Sequence, residues 1–389
     1  MGNIYEEKLS QAISYLNEFN IDLWLIYSSE GSDPSVPLVT GLKTVGKTFF
    51  LITREGKKYA IASVIDAQES EDSGLFDEVF RYSSDCEDIL RELVSKIDPD
   101  KIALNYSIDD NLCDGLTVGR YRWLMDVLGD EYKNRVVQSE VFLKKVRSIK
   151  SPSEIQRIQK AIDITLDIYK EVFGKLKAGL SEYEVGQMFV EGMRKRGVVN
   201  GNTKELTMPI ILTERIAHRE PGNAIIKPGD FMIVDFSVDY DGYVSDVART
   251  VYFLKDGETS PPKSMQERFE AVYDAITLVK ENIKPGMKGY EVDQIAREYL
   301  LSRGMPEITH ATGHQIGRYT HDGGTLLGPR WERYGTAPYE TIEENMVFTV
   351  EPTILLEDDY SILTEEIILV REDGAVFLTE RQEEIILIK

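Results

Sequence analysis

Pro228-Gly-Asp-Phe-Met-Ile-Val-Asp235-Phe-Ser-Val-Asp-Tyr-Asp-Gly242-Tyr-Val-Ser-Asp246-Val-Ala-Arg-Thr250 reads as a β-hairpin with acids set inside its apolar strands. The flanking runs, Phe231 to Val238 and Tyr243 to Phe253, have β-type composition, and Asp239-Tyr240-Asp241-Gly242 between them is a turn signal. With those four residues as the loop, Val238 pairs with Tyr243 and Asp235 stands opposite Asp246. Directly opposed residues project from one face with Cβ atoms about 5 Å apart, and two like charges so placed repel unless a cation lies between them.

A second hairpin repeats the pattern. Met346 to Leu355 and Ser361 to Val370 form its strands, Leu356 to Tyr360 its loop, and Glu351 falls opposite Glu365. Acids within a core are rare unless paired or bound to metal. The bland alternative places these acids on solvated faces. Against it stands the company they keep, because all four histidines of the chain (His218, His310, His314 and His321) lie in the same half. His314 sits in Gly313-His314-Gln-Ile-Gly317, where glycines permit close backbone approach. Four carboxylates and one imidazole suit Mn²⁺, Co²⁺, Zn²⁺ or Fe²⁺ alike.

Outward from the hairpins, the second half carries a weak repeat at an offset of 107 residues. Gly179-Leu-Ser-Glu-Tyr-Glu-Val-Gly-Gln runs on to Gly197, and Gly286-Met-Lys-Gly-Tyr-Glu-Val-Asp-Gln runs on to Gly304. Each copy follows a long helical pattern and precedes an acid-bearing hairpin, so duplication explains the match better than chance caps do. The first of those helices opens at Ser151-Pro152-Ser153-Glu154, a capping box with proline at its first position, and its apolar period predicts an end near Gly179.

A boundary near Arg147 to Lys150 divides the chain into an N-terminal domain, 1–147, and a C-terminal domain, 148–389. The first alternates helical and strand patterns. Tyr5 to Phe19 is amphipathic, Leu23 to Tyr27 is an apolar strand, and Thr48 to Thr53 with Lys58 to Ser63 forms a hairpin. Asp88 to Ile97 and Asp114 to Leu128 are helical, with a short strand at Lys101 to Leu104 between them. This is an α/β unit without a catalytic cluster.

Composition sets outer limits. The 389 residues are 42% hydrophobic and 29% charged, the balance of a globular protein, and the formal charge of −22 argues against nucleic acid or an anionic membrane as partner. No apolar run reaches membrane-span length, and the opening residues lack a basic-then-apolar signal pattern. Cys86 and Cys113 lack metal-type spacing and read as core thiols. The expected location is the cytoplasm.

The order His218, Asp235, Asp246, His314, His321, Glu351, Glu365 resembles the pita-bread metallopeptidases: Xaa-Pro aminopeptidases, prolidases and methionine aminopeptidases. Pro228 to Asp235, Asp241 to Thr250 and Val350-Glu351-Pro352 are close to that family's motifs, and the first domain is similar to the α/β domain carried by its proline-specific branch. The resemblance implies an α/β N-terminal domain and an α+β pita-bread catalytic domain with internal pseudo-twofold duplication.

It further implies two divalent ions: Asp235 on one, His314 on the other, Asp246 and Glu365 bridging, and Glu351 completing the coordination of the second ion. The activity implied is exopeptidase hydrolysis of an N-terminal Xaa-Pro bond by a metal-bridging hydroxide. Glu351 would carry the proton, His321 and His218 would hold the scissile carbonyl and its flanking residue, and His310 would take a direct or supporting part. Arg330 could grip a substrate carboxylate, and a homodimer is expected.

Three departures stand out: Ala217 before His218, where the family often has proline; Thr353, where glycine usually follows Glu-Pro; and about eight extra residues between His321 and Glu351. The Gly323 to Gly335 stretch among them is expected to wall the substrate site. Two rival readings are a metal-free creatinase-like amidinohydrolase and a non-catalytic pita-bread module that binds peptides. Metal content separates both from the peptidase.

Overall fold

A computed structural model describes residues 4–213, 219–356 and 359–389. The chain divides into two compact units, Met1–Arg147 and Ser148–Lys389.

The first unit is one six-stranded mixed sheet with helices on both faces. Its strands are β1 (Leu23–Ser28), β2 (Thr48–Thr53), β3 (Lys58–Ser63), β4 (Glu78–Tyr82), β5 (Ile102–Leu104) and β6 (Val136–Gln138), in the order β4-β3-β2-β1-β5-β6. Its helices are α1 (Ile4–Glu18), α2 (Val36–Val39), α3 (Ala67–Asp72), α4 (Glu87–Ile97), α5 (Val118–Tyr132) and α6 (Glu140–Ser148). The unbroken apolar run of β1 follows from this double cover. Trp24 and Ile26 pack with Leu9, Leu16 and Phe142, while Leu23, Leu25 and Tyr27 pack on the other face with Leu90 and Leu124. Both cysteines are free and buried, as expected.

The second unit opens with α7 (Pro152–Phe173) and α8 (Glu182–Arg196), followed by β7 (Val199–Asn200), β8 (Ile210–Leu212), β9 (Phe231–Phe236), β10 (Val238–Tyr240), β11 (Tyr243–Val244) and β12 (Val247–Phe253). Then come α9 (Lys263–Asn282), α10 (Gly289–Ser302), β13 (Val347–Val350), β14 (Glu366–Arg371), β15 (Gly374–Phe377) and β16 (Ile386–Ile388). The capping box of α7 forms as expected, but the helix stops at Gly174, short of Gly179. Residues 175–181 instead carry the chain to α8 and pair with residues near Ile225.

The repeat is structural. Gly179 has φ +96° and its N–H donates to Ile226 O at 2.8 Å; Gly286 has φ +95° and donates to Ile342 O at 2.8 Å. Glu184 accepts from the Ser181 N–H and Glu291 from the Lys288 N–H at the starts of α8 and α10. Each copy therefore turns from long helix to short helix through a glycine in a backbone region that side chains disfavour. Gly179→Ala and Gly286→Ala should each cost about 1–2 kcal/mol of stability, read as a lower urea midpoint; unchanged midpoints would refute that account of the turn.

Among the described residues, no helix is long and apolar enough to cross a membrane.

Candidate metal centre

The first hairpin corrects the expected register. Tyr240 pairs with Tyr243 and Asp239 with Val244, so the loop is Asp241-Gly242 alone. Both residues have positive φ, 51° and 78°, the requirement of a tight two-residue turn that Asp-Gly satisfies. Asp235 consequently lies opposite Ala248 rather than Asp246. The slip is two residues, and a shift of two leaves every side chain on its original face. Asp235 and Asp246 are diagonal neighbours, not opposed ones.

The second hairpin keeps the expected register. Val350 pairs with Glu366, and the isolated Ile354–Ile362 bridge preserves the same count, which sets Glu351 across from Glu365. At these two residues the ladder parts: the Glu351 N–H donates to Thr312 O at 2.7 Å and the Glu365 N–H to Ala248 O at 3.2 Å. Glu365 is thereby stitched beside β12, next to the residue that faces Asp235. Thr250 Oγ1 donating to Leu363 O at 2.8 Å extends the seam. Through it the two acid-bearing hairpins meet.

His314 comes from a segment running beside β13. Its N–H donates to Thr349 Oγ1 at 3.1 Å, the Thr349 N–H donates to His314 O at 2.8 Å, and Gln315 bridges to Phe348. A Cβ on Gly313 would overlap the Thr349 carbonyl, so glycine is needed for that approach. His314 Nδ1 faces the Gln315 carbonyl at 3.3 Å, which turns Nε2 toward the acids.

Nε2 lies 3.4 Å from Glu351 Oε1 and 3.7 Å from Asp246 Oδ2. Ligand atoms of Asp246, His314 and Glu365 all fall within 4.8 Å of one another. Asp246, His314 and Glu365 are buried and Glu351 is half-buried.

Burial and mutual repulsion dominate the electrostatics of this cluster. Burial, then Asp235 and Glu351, holds the Asp246 carboxyl well above the usual range. Burial, then Asp246, Glu351 and Asp235, does the same to Glu365, against some relief from Arg249. Glu351 is pushed up to about 8 by burial and by Asp235. Burial, with His321 close by, lowers His314 to about 3. Among the described residues none of Asp246, Glu351 and Glu365 pairs with a lysine or arginine. Oxygen donors with one neutral imidazole, whose other nitrogen is held by a carbonyl, fit a divalent metal ion.

The remaining candidates are spread around this cluster. The His321 ring is exposed and lies 4.3 Å from that of His314. His310 is half-buried, with Nδ1 2.7 Å from Ala311 O, and its carbonyl accepts from Arg297. His218 lies outside the described residues. On either side of it, Thr213, Arg219 and Gly222 all donate to the fully buried Glu182 at the start of α8. Arg330 is exposed, its guanidinium 4.8 Å above the Tyr290 ring. Trp331 and Arg333, from the extra stretch, line a cavity of about 610 Å³ with Glu307, Ile308 and Thr309.

Sequence reading missed Arg249 and Glu366. They form a buried pair at 3.3 Å behind the acids, and Arg249 also donates to Glu365 O and Glu380 O. An arginine amid the apolar β12 was the available signal.

The sequence pattern of metallopeptidase family M24 matches residues 156–372. The chain belongs to this family. The M24 family is divalent-metal dependent, and the acidic cluster is a candidate metal site within it. Among relatives, the Xaa-Pro dipeptidase of Pyrococcus horikoshii is 26% identical over 388 residues, spanning 99% of this chain and 100% of that one. An uncharacterised peptidase of Bacillus subtilis is 28% identical over 274 residues, 70% of this chain and 73% of its own. The X-Pro aminopeptidase structure from Thermotoga maritima superposes with a TM-score of 0.77 at 26% identity, covering 95% of this chain and 98% of that one. An Xaa-Pro dipeptidase structure from Bacillus anthracis gives 0.78 at 23% identity over 99% and 100%, a likeness of fold. The M24 chain thus has the expected architecture, an α/β first unit and a duplicated pita-bread second unit.

Proposed function

We propose that this M24 peptidase is a dinuclear-metal exopeptidase that removes the first residue of peptides or dipeptides whose second residue is proline. The observation that carries the reading is the mutual approach of Asp246, His314 and Glu365, with Glu351 and Asp235 close enough to perturb them electrostatically. Asp235, Asp246, His314, Glu351 and Glu365 would hold two ions. Divalent ions bound there lower the pKa of water and polarise a carbonyl.

The chain's own groups do the rest. Glu351 takes a proton from the attacking water and returns it to the leaving nitrogen. His321, exposed beside His314, donates to the scissile carbonyl as charge develops on its oxygen, and His218 serves the flanking residue. His310 supports the segment that leads to His314. Arg330 is the candidate for a substrate carboxylate, which it would meet with a guanidinium now resting on Tyr290. We read the two compact units as the two domains. Its buried free cysteines suit a reducing cytoplasm, and family resemblance adds a homodimer.

The test is a panel of Xaa-Pro dipeptides, Xaa-Pro tripeptides and peptides lacking proline, assayed with several metals. Xaa-Pro substrates should be cleaved, chelator should stop turnover, and Mn²⁺ or Co²⁺ should restore it. Turnover indifferent to chelator, or no cleavage of any Xaa-Pro peptide, would overturn the proposal.

A further inference from the structure

From Gln315 to Asp322, a stretch that starts after His314 and includes His321, the chain makes a small closed loop, and a lysine fills it. The Asp322 N–H donates to Gln315 O at 3.0 Å, shutting the loop, and Asp322 Oδ1 accepts from the Tyr319 N–H at 3.4 Å. Lys150 Nζ lies 2.9 Å from Asp322 Oδ2, with the two side chains 0% and 2% exposed. A Cβ on Gly317 would overlap the Asp322 carboxylate and come within 2.9 Å of Lys150 Nζ, so the loop wraps the pair closely. The Lys150 N–H donates to Asn345 O at 3.0 Å, just before β13 and Glu351. Beside it, Ser148 Oγ lies 3.2 Å from the Gln315 amide. One lysine therefore ties the start of α7, the histidine loop and the approach to the acids. Burying an ion pair adds little net stability, because desolvation offsets the attraction; its use is to fix an arrangement.

We propose that the Lys150–Asp322 pair is a positioning device that sets His321 against His314 for the peptidase reaction. This rests on the peptidase reading above. Asp322→Asn keeps the shape and removes the charge.

In the metal-loaded full-length protein, kcat for an Xaa-Pro peptide should fall about 10- to 100-fold. KM should stay within about threefold, and Mn²⁺ affinity of the metal-free variant, measured by calorimetry, should match wild type. Should D322N fail to fold, K150M/D322N removes both charges of the pair and must show the same loss of kcat. A kcat within twofold of wild type in a folded variant overturns the proposal, as does a loss explained wholly by weakened Mn²⁺ binding. Wild-type turnover in the same assay tests the peptidase reading separately.

Discussion

Asp246→Asn abolishes turnover and leaves the protein folded: that is the expected result, with activity down about a thousandfold or more. Losing a ligand of the proposed metal centre would remove several kcal/mol of transition-state stabilisation, and each 1.4 kcal/mol is about tenfold in rate. Folding should survive for an electrostatic reason. The Asp246 carboxyl is held well above its usual range by burial and by neighbouring acids, so an uncharged amide relieves repulsion. The signature is paired. The variant's melting temperature without metal equals or exceeds that of wild type at pH 8, while the rise on adding Mn²⁺ shrinks. A variant with near-wild-type activity would remove Asp246 from the centre.

The second large effect is a pH dependence that metal reverses. A carboxyl whose folded pKa is raised binds its proton more tightly in the folded state, so its contribution is full at low pH and is lost as pH rises through the folded value. Glu351, pushed to about 8, behaves this way, as do Asp246 and Glu365 with their upward shifts. His314, lowered to about 3, acts in the opposite sense, adding stability as pH climbs toward its unfolded value, about 6.5. Between pH 6.5 and 8 the histidine's contribution no longer changes and the acids set the slope. The metal-free protein should therefore lose thermal stability across that interval, and saturating Mn²⁺ should flatten or invert the trend. A metal-free melting temperature that climbs from pH 6.5 to 8 would contradict the caged-acid picture.

Which parts were legible in the sequence follows from how each signal is written. Period-2 patterning put all four acids on the correct faces, and it did so despite the register error, because a two-residue slip cannot move a side chain across the sheet. The error itself came from reading Asp239 to Gly242 as the loop when Asp-Gly alone makes the turn. Gly179 and Gly286 were visible as a repeat because each is demanded by the same positive φ.

Long-range pairings were not legible. Lys150 read as part of a boundary and Asp322 as the neighbour of a histidine, although they meet across 172 positions. Nothing local in a chain encodes such a contact. Arg249 is marked locally as an arginine within the apolar β12, but its pairing with Glu366 is long-range in the same way. Glu365 and Glu366 are adjacent acids on opposite faces, and only the fold distinguishes the one among the acids from the one paired to arginine.

On this reading, inward-facing acids from two hairpins cage a pair of cations. Its most direct test is the number of Mn²⁺ ions bound per chain when the metal-free protein is titrated at pH 7.5 and the loaded protein is analysed after desalting. Two ions per chain, falling on Asp246→Asn, is the predicted result; no binding, or binding unaffected by that substitution, would contradict it.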